Sequence, residues 1–186
     1  MTLQDRKAAA RKAAFARRKA AHLARPSGAS AHLSAVLAGY RGVPLAGYMP
    51  IRTEIDPLPA MAEAAAYGPV GVPVIRAPGQ ALVFSRWEPD GEMVAGSFGA
   101  TVPTHERLMT PEIVIVPLVA FSRTGGRLGY GGGFYDRTLE RLRAERPMLA
   151  IGFAYAAQED RDLPLETTDQ KLDLIVTERE VIEIPI

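Results

Sequence analysis

Apolar positions fall into one long spaced pattern at the start of the chain and a series of short runs after it. Residues 2–24 interleave Ala and Leu with Lys and Arg, contain neither Gly nor Pro, and stop at Arg25-Pro26-Ser27-Gly28, which predicts one long helix. A shorter helix is expected at about Ser30–Tyr40. Leu45–Ile51 reads as a strand, and Asp56-Pro57 opens a helix that runs through Ala66 and ends at Tyr67-Gly68-Pro69. Three strand-like segments, Val70–Ile75, Ala81–Trp87 and Glu92–Phe98, are separated by Ala77-Pro78-Gly79 and Glu88-Pro89-Asp90-Gly91, and predict a small antiparallel or mixed section. The apolar runs Glu112–Val116 and Met148–Ala154 flank a helix at Phe134–Arg146, the strand, loop, helix, strand order of a parallel crossover. A last strand at Leu172–Thr177 closes the chain. The expected architecture is a single α/β domain over residues 1–186, three-layer α/β/α, with a mixed, mainly parallel sheet covered by helices.

Composition changes this picture in two places. The 186 residues carry a formal net charge of only +1, but the first 25 hold eight basic residues and one acid, leaving −6 on the remainder. A near-neutral total excludes a surface coated for non-specific nucleic-acid binding, whereas a basic end on an acidic body points to a local anion site or a partner. A nucleic-acid partner is therefore not expected. No apolar run approaches the about 20 residues of a membrane-spanning helix, and the start lacks the apolar core of a secretory signal. The absence of cysteine excludes disulfides, thiolate zinc sites and cysteine nucleophiles, and the three histidines, His22, His32 and His105, stand at no metal-ligand spacing.

The densest chemical signal is Thr124-Gly125-Gly126-Arg127-Leu128-Gly129-Tyr130-Gly131-Gly132-Gly133-Phe134-Tyr135-Asp136, with six glycines in nine residues from Gly125 to Gly133. It lies between a strand ending near Pro117 and a helix starting near Phe134. Residues without Cβ let successive backbone N–H groups converge on an anion, and the following helix N-terminus adds partial positive charge. Arg127 supplies a forked cationic donor for a phosphate, and Asp136, near the helix start, is a candidate to hold the Mg2+ that accompanies a nucleotide. No Lys-Ser or Lys-Thr follows, which excludes the P-loop; Phe134 stands where the dinucleotide fingerprint needs Gly. A tight turn with close packing is the simpler alternative, and the company of Arg127 and Asp136 argues against it.

These residues resemble a known family. Val116-Pro117-Leu118-Val119-Ala120-Phe121, followed by Gly126-Arg127-Leu128-Gly129-Tyr130-Gly131-Gly132-Gly133-Phe134-Tyr135-Asp136-Arg137, is similar to the signature of the 5-formyltetrahydrofolate cyclo-ligases, also called methenyltetrahydrofolate synthetases. The likeness extends to Lys7-Ala8-Ala9-Ala10-Arg11, Glu54-Ile55-Asp56, Gln158, Pro164 to Asp169, and Asp173. It implies an ATP- and Mg2+-dependent ligase that converts 5-formyltetrahydrofolate to 5,10-methenyltetrahydrofolate with release of ADP and phosphate, through a phosphorylated formyl group. A folate- or nucleotide-binding regulator of the same fold, with weakened turnover, is the alternative. A cytoplasmic monomer with small-molecule partners only is expected.

The resemblance also assigns roles. Lys7, Arg11 and Arg18 share one helix face, at about 0°, 40° and 20° for 100° per residue. A solvated basic face is the simpler reading of such a helix; the family match instead sends Lys7 and Arg11, with Arg18 as a weaker candidate, to the ATP phosphates. Arg127, Leu128 and Gly129 to Tyr135 complete the expected ATP site, with Arg127 and Tyr130 as the candidate catalytic residues. Met49 and Glu54 are expected to line the folate pocket, and Tyr130, Gly131, Gly132, Gly133 and Phe134 to touch both substrates. Tyr135 bounds the nucleotide site or packs in the core. Asp136 is the first metal candidate, with Asp169 or Asp173 as the second, and Trp87 packs a strand edge or a pocket wall. Two positions depart from the family pattern: Val102 and Ser122 stand where many members carry a carboxylate.

Overall fold

The computed structural model describes residues 1–186, and its sheet is organised around one strand that sends side chains to both faces. Helix α1 spans Leu3–Leu23, α2 Ala31–Leu37, α3 Leu58–Ala65 and α4 Phe134–Glu145. The strands are β1 Leu45–Ala46, β2 Val70–Val74, β3 Val83–Arg86, β4 Met93–Ala95, β5 Thr101–Pro103, β6 Leu108–Met109, β7 Ile113–Pro117, β8 Ala120–Phe121, β9 Arg127–Leu128, β10 Leu149–Phe153, β11 Leu174–Val176 and β12 Val181–Glu183. The main sheet runs β12-β11-β10-β7-β1-β2-β3-β6. Its five inner strands, from β11 to β2, are parallel, and β12, β3 and β6 are antiparallel at the edges. The single α/β domain with a mixed, mainly parallel sheet is therefore as expected.

The period-2 alternation of a strand explains the layering. Ile113 and Ile115 of β7 enter a core shared with Leu33 and Leu37 of α2 and Met61 of α3. Val114 and Val116 enter a second core with Leu139 and Leu142 of α4. A strand covered on both faces reads as an uninterrupted apolar run, and β7 and β10 both do. Helix α1 touches the first core through Ala21 and packs its Ala14 with Val119, Ala120 and Leu128 against the β8–β9 hairpin. A capping box between Thr2 and Asp5 fixes its start. No helix is long and apolar enough to cross a membrane.

Three expectations about elements are corrected. Only Leu45 and Ala46 of the expected Leu45–Ile51 strand join the sheet. The chain then leaves it in a turn closed by the Tyr48 hydroxyl, which donates to the Ile55 carbonyl at 2.6 Å, and by Glu54, which accepts from the Ile51 N–H at 2.9 Å. Leu172–Thr177 does not close the chain: β12 follows it, held by a turn in which the Thr177 N–H donates to the Glu180 carbonyl at 2.9 Å. Between β7 and α4 the expected open loop contains the β8–β9 hairpin. These strands are two or three residues long, too short for periodicity to register.

Candidate functional site

One cleft of about 1450 Å³ gathers the chemistry. Its walls are the first half of α1, the segment Met49–Glu54, the short helical turn Ser97–Gly99 with β5, the loop Gly129–Gly133 leading into α4, and the segment Glu166–Asp169. Of the residues assigned above to the ATP, folate and metal sites, all but Arg18 and Asp173 line it: Lys7, Arg11, Met49, Glu54, Arg127, Leu128, Gly129 to Gly133, Phe134, Tyr135, Asp136 and Asp169.

The glycine segment divides in two, which corrects its reading as one phosphate loop. Gly125 and Gly126 shape the β8–β9 turn: Gly125 has φ +90°, and a Cβ there would lie 2.9 Å from the Leu172 carbonyl. Gly129 to Gly133 are the residues that face the cleft. Gly131 has φ +100°, and a Cβ on it would sit 3.6 Å from the Arg11 guanidinium, so the loop and α1 approach closely. The Arg11 Nε donates to the Gly129 carbonyl at 2.8 Å, and the Arg137 Nη2 donates to that of Gly132 at 2.8 Å.

At one end of the cleft, cations and carboxylates are paired. The buried Lys7 ammonium lies 3.3 Å from Glu166 and 3.5 Å from Asp169. The Arg127 Nη2 donates to Asp136 Oδ1 at 2.6 Å, and the Gln170 N–H donates to the same oxygen at 2.9 Å. Burial pulls the Arg127 guanidinium below its ordinary value, and the Asp136 and Asp169 charges oppose this. Its Nε is buried without a partner. Nowhere do three or more His, Cys, Asp or Glu side chains converge as a metal cage, so Asp136 and Asp169 are isolated ligand candidates.

At the other end, Glu54 is buried, 5% exposed, and accepts from the Tyr130 hydroxyl at 3.0 Å as well as from Ile51. Burial raises its carboxyl above the ordinary value; the Ile51 N–H, the Arg18 charge and the Tyr130 hydroxyl oppose the rise. Burial, reinforced by Glu54, pushes the Tyr130 phenol up to about 12 and raises that of Tyr135 further. Both phenols are therefore hydrogen-bond donors at neutral pH.

Other candidates lie elsewhere. Arg18 is not on the cleft surface: it is 1% exposed, its Nη1 donating to the Tyr130 hydroxyl at 2.9 Å and its Nε to Thr53 Oγ1 at 3.0 Å. Asp173 accepts from the Ala150 N–H at 2.8 Å and from Arg143 at 3.1 Å, outside the cleft, as a brace between α4 and β10. Trp87 is a core residue. Buried Gln158 donates to the Leu118 and Val119 carbonyls and braces the turn after β7. Val102 lines the cleft. Ser122, by contrast, sits in the β8–β9 turn, bonded to Thr124 at 2.9 Å. The sequence did not single out Glu166, nor Arg52 and Phe98 on the cleft wall; the last two have positive φ, 54° and 59°, which side-chain identity does not announce.

Comparison with known proteins places these features in context. The model of the 5-formyltetrahydrofolate cyclo-ligase family matches residues 3–178. The 5-formyltetrahydrofolate cyclo-ligase of Haemophilus influenzae is 40% identical over 101 residues, 51% of this chain and 54% of that protein. That of Escherichia coli K12 is 36% identical over 107 residues, 55% and 58%. The alignments thus span about half the length of these curated relatives. Among solved structures, a 5,10-methenyltetrahydrofolate synthetase from Mycoplasma pneumoniae superposes with a TM-score of 0.69 at 24% identity, covering 93% of this chain and 99% of the other. That of Aquifex aeolicus gives 0.67 at 24% identity, covering 92% of each.

Proposed function

Because the chain belongs to the 5-formyltetrahydrofolate cyclo-ligase family, matched from residue 3 to residue 178, we propose that it is an ATP- and Mg2+-dependent ligase converting 5-formyltetrahydrofolate to 5,10-methenyltetrahydrofolate. The observation that carries this reading is that Lys7, Arg11, the Gly129–Gly133 loop and buried Glu54 all line one cleft. We assign it as a monomer acting in the cytoplasm.

The residues fit a nucleotide. Arg11 bonds the glycine loop from α1, Lys7 lines the same cleft, and Arg127 stands in its wall with Nε unpartnered. Mg2+ is ordinarily held by one or two carboxylates together with substrate phosphates, not by a protein cage. Asp136 and Asp169, both on the cleft and not clustered with further ligands, match that donor set. The metal would supply charge neutralisation on the phosphates.

In the proposed reaction the formyl oxygen takes the γ-phosphoryl group of ATP, ADP leaves, N10 closes on the formyl carbon, and phosphate departs with the loss of the N10 proton. A formamide oxygen is a poor leaving group and phosphate a good one, which is the physical reason for ATP. The protein is asked for alignment and charge neutralisation. Arg127 and the loop N–H groups hold the transferred group, Tyr130 borders both substrates, Glu54 accepts from the pterin N–H groups, and Met49 and Phe134 supply apolar wall.

Purified protein with ATP, Mg2+ and 5-formyltetrahydrofolate is expected to generate methenyltetrahydrofolate absorbance. Folded protein that gives no signal at high substrate removes the proposal, and binding of both ligands without product would make the chain a regulator of the same fold.

A further inference from the structure

A buried guanidinium carries the argument past the substrates. Arg18 is 1% exposed, yet its two side-chain hydrogen bonds go to neutral hydroxyls, those of Thr53 and Tyr130, and its Nη2 has no partner. Burying such a charge without a bonded carboxylate costs several kcal/mol in typical cases, so its retention asks for a reason. Its surroundings supply one. The guanidinium carbon lies 5.1 Å from the Phe15 ring centroid and 5.6 Å from that of Tyr130, and the two rings are 5.7 Å apart. On the outer side, Arg52 lies 5.6 Å from the Tyr130 centroid and holds a left-handed backbone, φ 54°. The Tyr130 hydroxyl, between them, accepts from Arg18 and donates to Glu54. In such a chain each bond polarises the next.

We infer that Arg18 is a positioning residue for folate binding: through Tyr130 it ties the glycine loop to the Met49–Glu54 segment, so that the folate end of the cleft is formed before substrate arrives. This rests on the folate reading above. A ligand N–H that approaches Glu54 competes with the Tyr130 hydroxyl for Oε2. When Tyr130 yields that acceptor, the Arg18 bond and the cation–π contact still fix the ring, and the loop keeps its place. Without Arg18 the ring and the loop lose that anchor, and part of the binding free energy is spent ordering them.

Steady-state kinetics and calorimetric titration with 5-formyltetrahydrofolate distinguish the possibilities in wild type, Arg18→Lys, Tyr130→Phe and the double variant. Lys retains the charge but cannot bridge Thr53 and Tyr130 with a planar fork. Arg18→Lys is expected to weaken folate binding on the order of tenfold, the size of one charge-assisted hydrogen bond, with a smaller rise of about two- to threefold in the KM for ATP, because the same loop also borders the nucleotide. The double variant should be no worse than the poorer single one, because both act through the same phenol. Thr53→Val, which removes one Arg18 partner and leaves the charge untouched, is expected to give a smaller loss in the same direction. Unchanged folate affinity in folded Arg18→Lys, an equal rise in both KM values, or additive losses in the double variant would each overturn the inference. Wild type that binds no folate overturns the functional reading first, and the inference with it.

Discussion

The two ends of the cleft hold charge in opposite ways. At the end we assign to the nucleotide, cations sit against carboxylates, Lys7 with Glu166 and Asp169 and Arg127 with Asp136. At the end we assign to the folate, the Glu54 carboxylate is satisfied by an N–H and a phenol, with the nearest buried cation one group away behind Tyr130. Ion pairs can trade partners when a polyanion and a metal arrive, so the first end is built to rearrange. A buried carboxylate bonded to neutral donors gains little by moving, so the second is built to be ready.

Removing Arg127 should break the comparison most severely. Arg127→Ala takes away a candidate phosphoryl-holding donor and leaves Asp136 with only the Gln170 N–H on its Oδ1. A fall of at least about 100-fold in kcat is expected, the scale of a lost transition-state donor, measured by product absorbance. Asp136 is 29% exposed, so solvent takes up part of its charge and the loss should appear in turnover more than in melting temperature.

Glu54→Gln tests the other end and should separate function from stability. A carboxyl whose folded pKa lies above its unfolded one stabilises the fold only while protonated, below the unfolded value, and loses that contribution as pH rises through the folded value. Burial raises Glu54 in this sense, so at neutral pH its ionised form costs stability. The substitution is expected to raise Tm at pH 7, with the gain fading as pH falls towards the ordinary carboxylate range. The KM for folate should rise about tenfold or more. A Tm gain that persists unchanged in acid would contradict the burial argument.

Much of this was legible in the sequence, and the parts that were not share a cause. The parallel crossover could be read because β7 and β10 are apolar on both faces and α4 follows the glycines at once. Helical phase put Lys7 and Arg11 on one face, but only the resemblance to the family pattern sent them to the cleft. The split between Gly125-Gly126 and Gly129–Gly133 could not, because the β8 and β9 strands that separate them are two residues each. Arg18 shares the face of Lys7 and Arg11, and its different fate depends on where Tyr130 and Thr53 arrive from other parts of the chain. Helical phase gives direction, and only tertiary packing decides what stands there.

A smaller effect is expected where the paired end is loosened without removing a cation. Glu166 is the more exposed partner of Lys7, 36% against 16% for Asp169. Glu166→Gln leaves Lys7 one carboxylate and should lower the KM for ATP by about two- to threefold, the worth of a partly exposed ion pair. Folate KM should stay unchanged. Added salt should weaken ATP binding in both proteins. A rise in the KM for ATP would mean that Glu166 assists the nucleotide and does not compete with it.

The smallest effect is expected at Ser122, one of the two positions where many family members carry a carboxylate. Val102 faces the cleft and Ser122 does not. The Ser122 hydroxyl bonds Thr124 and accepts from the Gly126 N–H at 3.3 Å, so it closes the β8–β9 turn behind Arg127. An Asp side chain can make the same turn-closing bond. Ser122→Asp should therefore leave kcat and both KM values within about twofold, with its cost confined to stability, because Ser122 is buried and the new carboxylate loses water there. If Ser122→Asp raised turnover tenfold, the hairpin would be shown to control the glycine loop, and the division of the glycine segment into a turn and a ligand-facing loop would have to be abandoned.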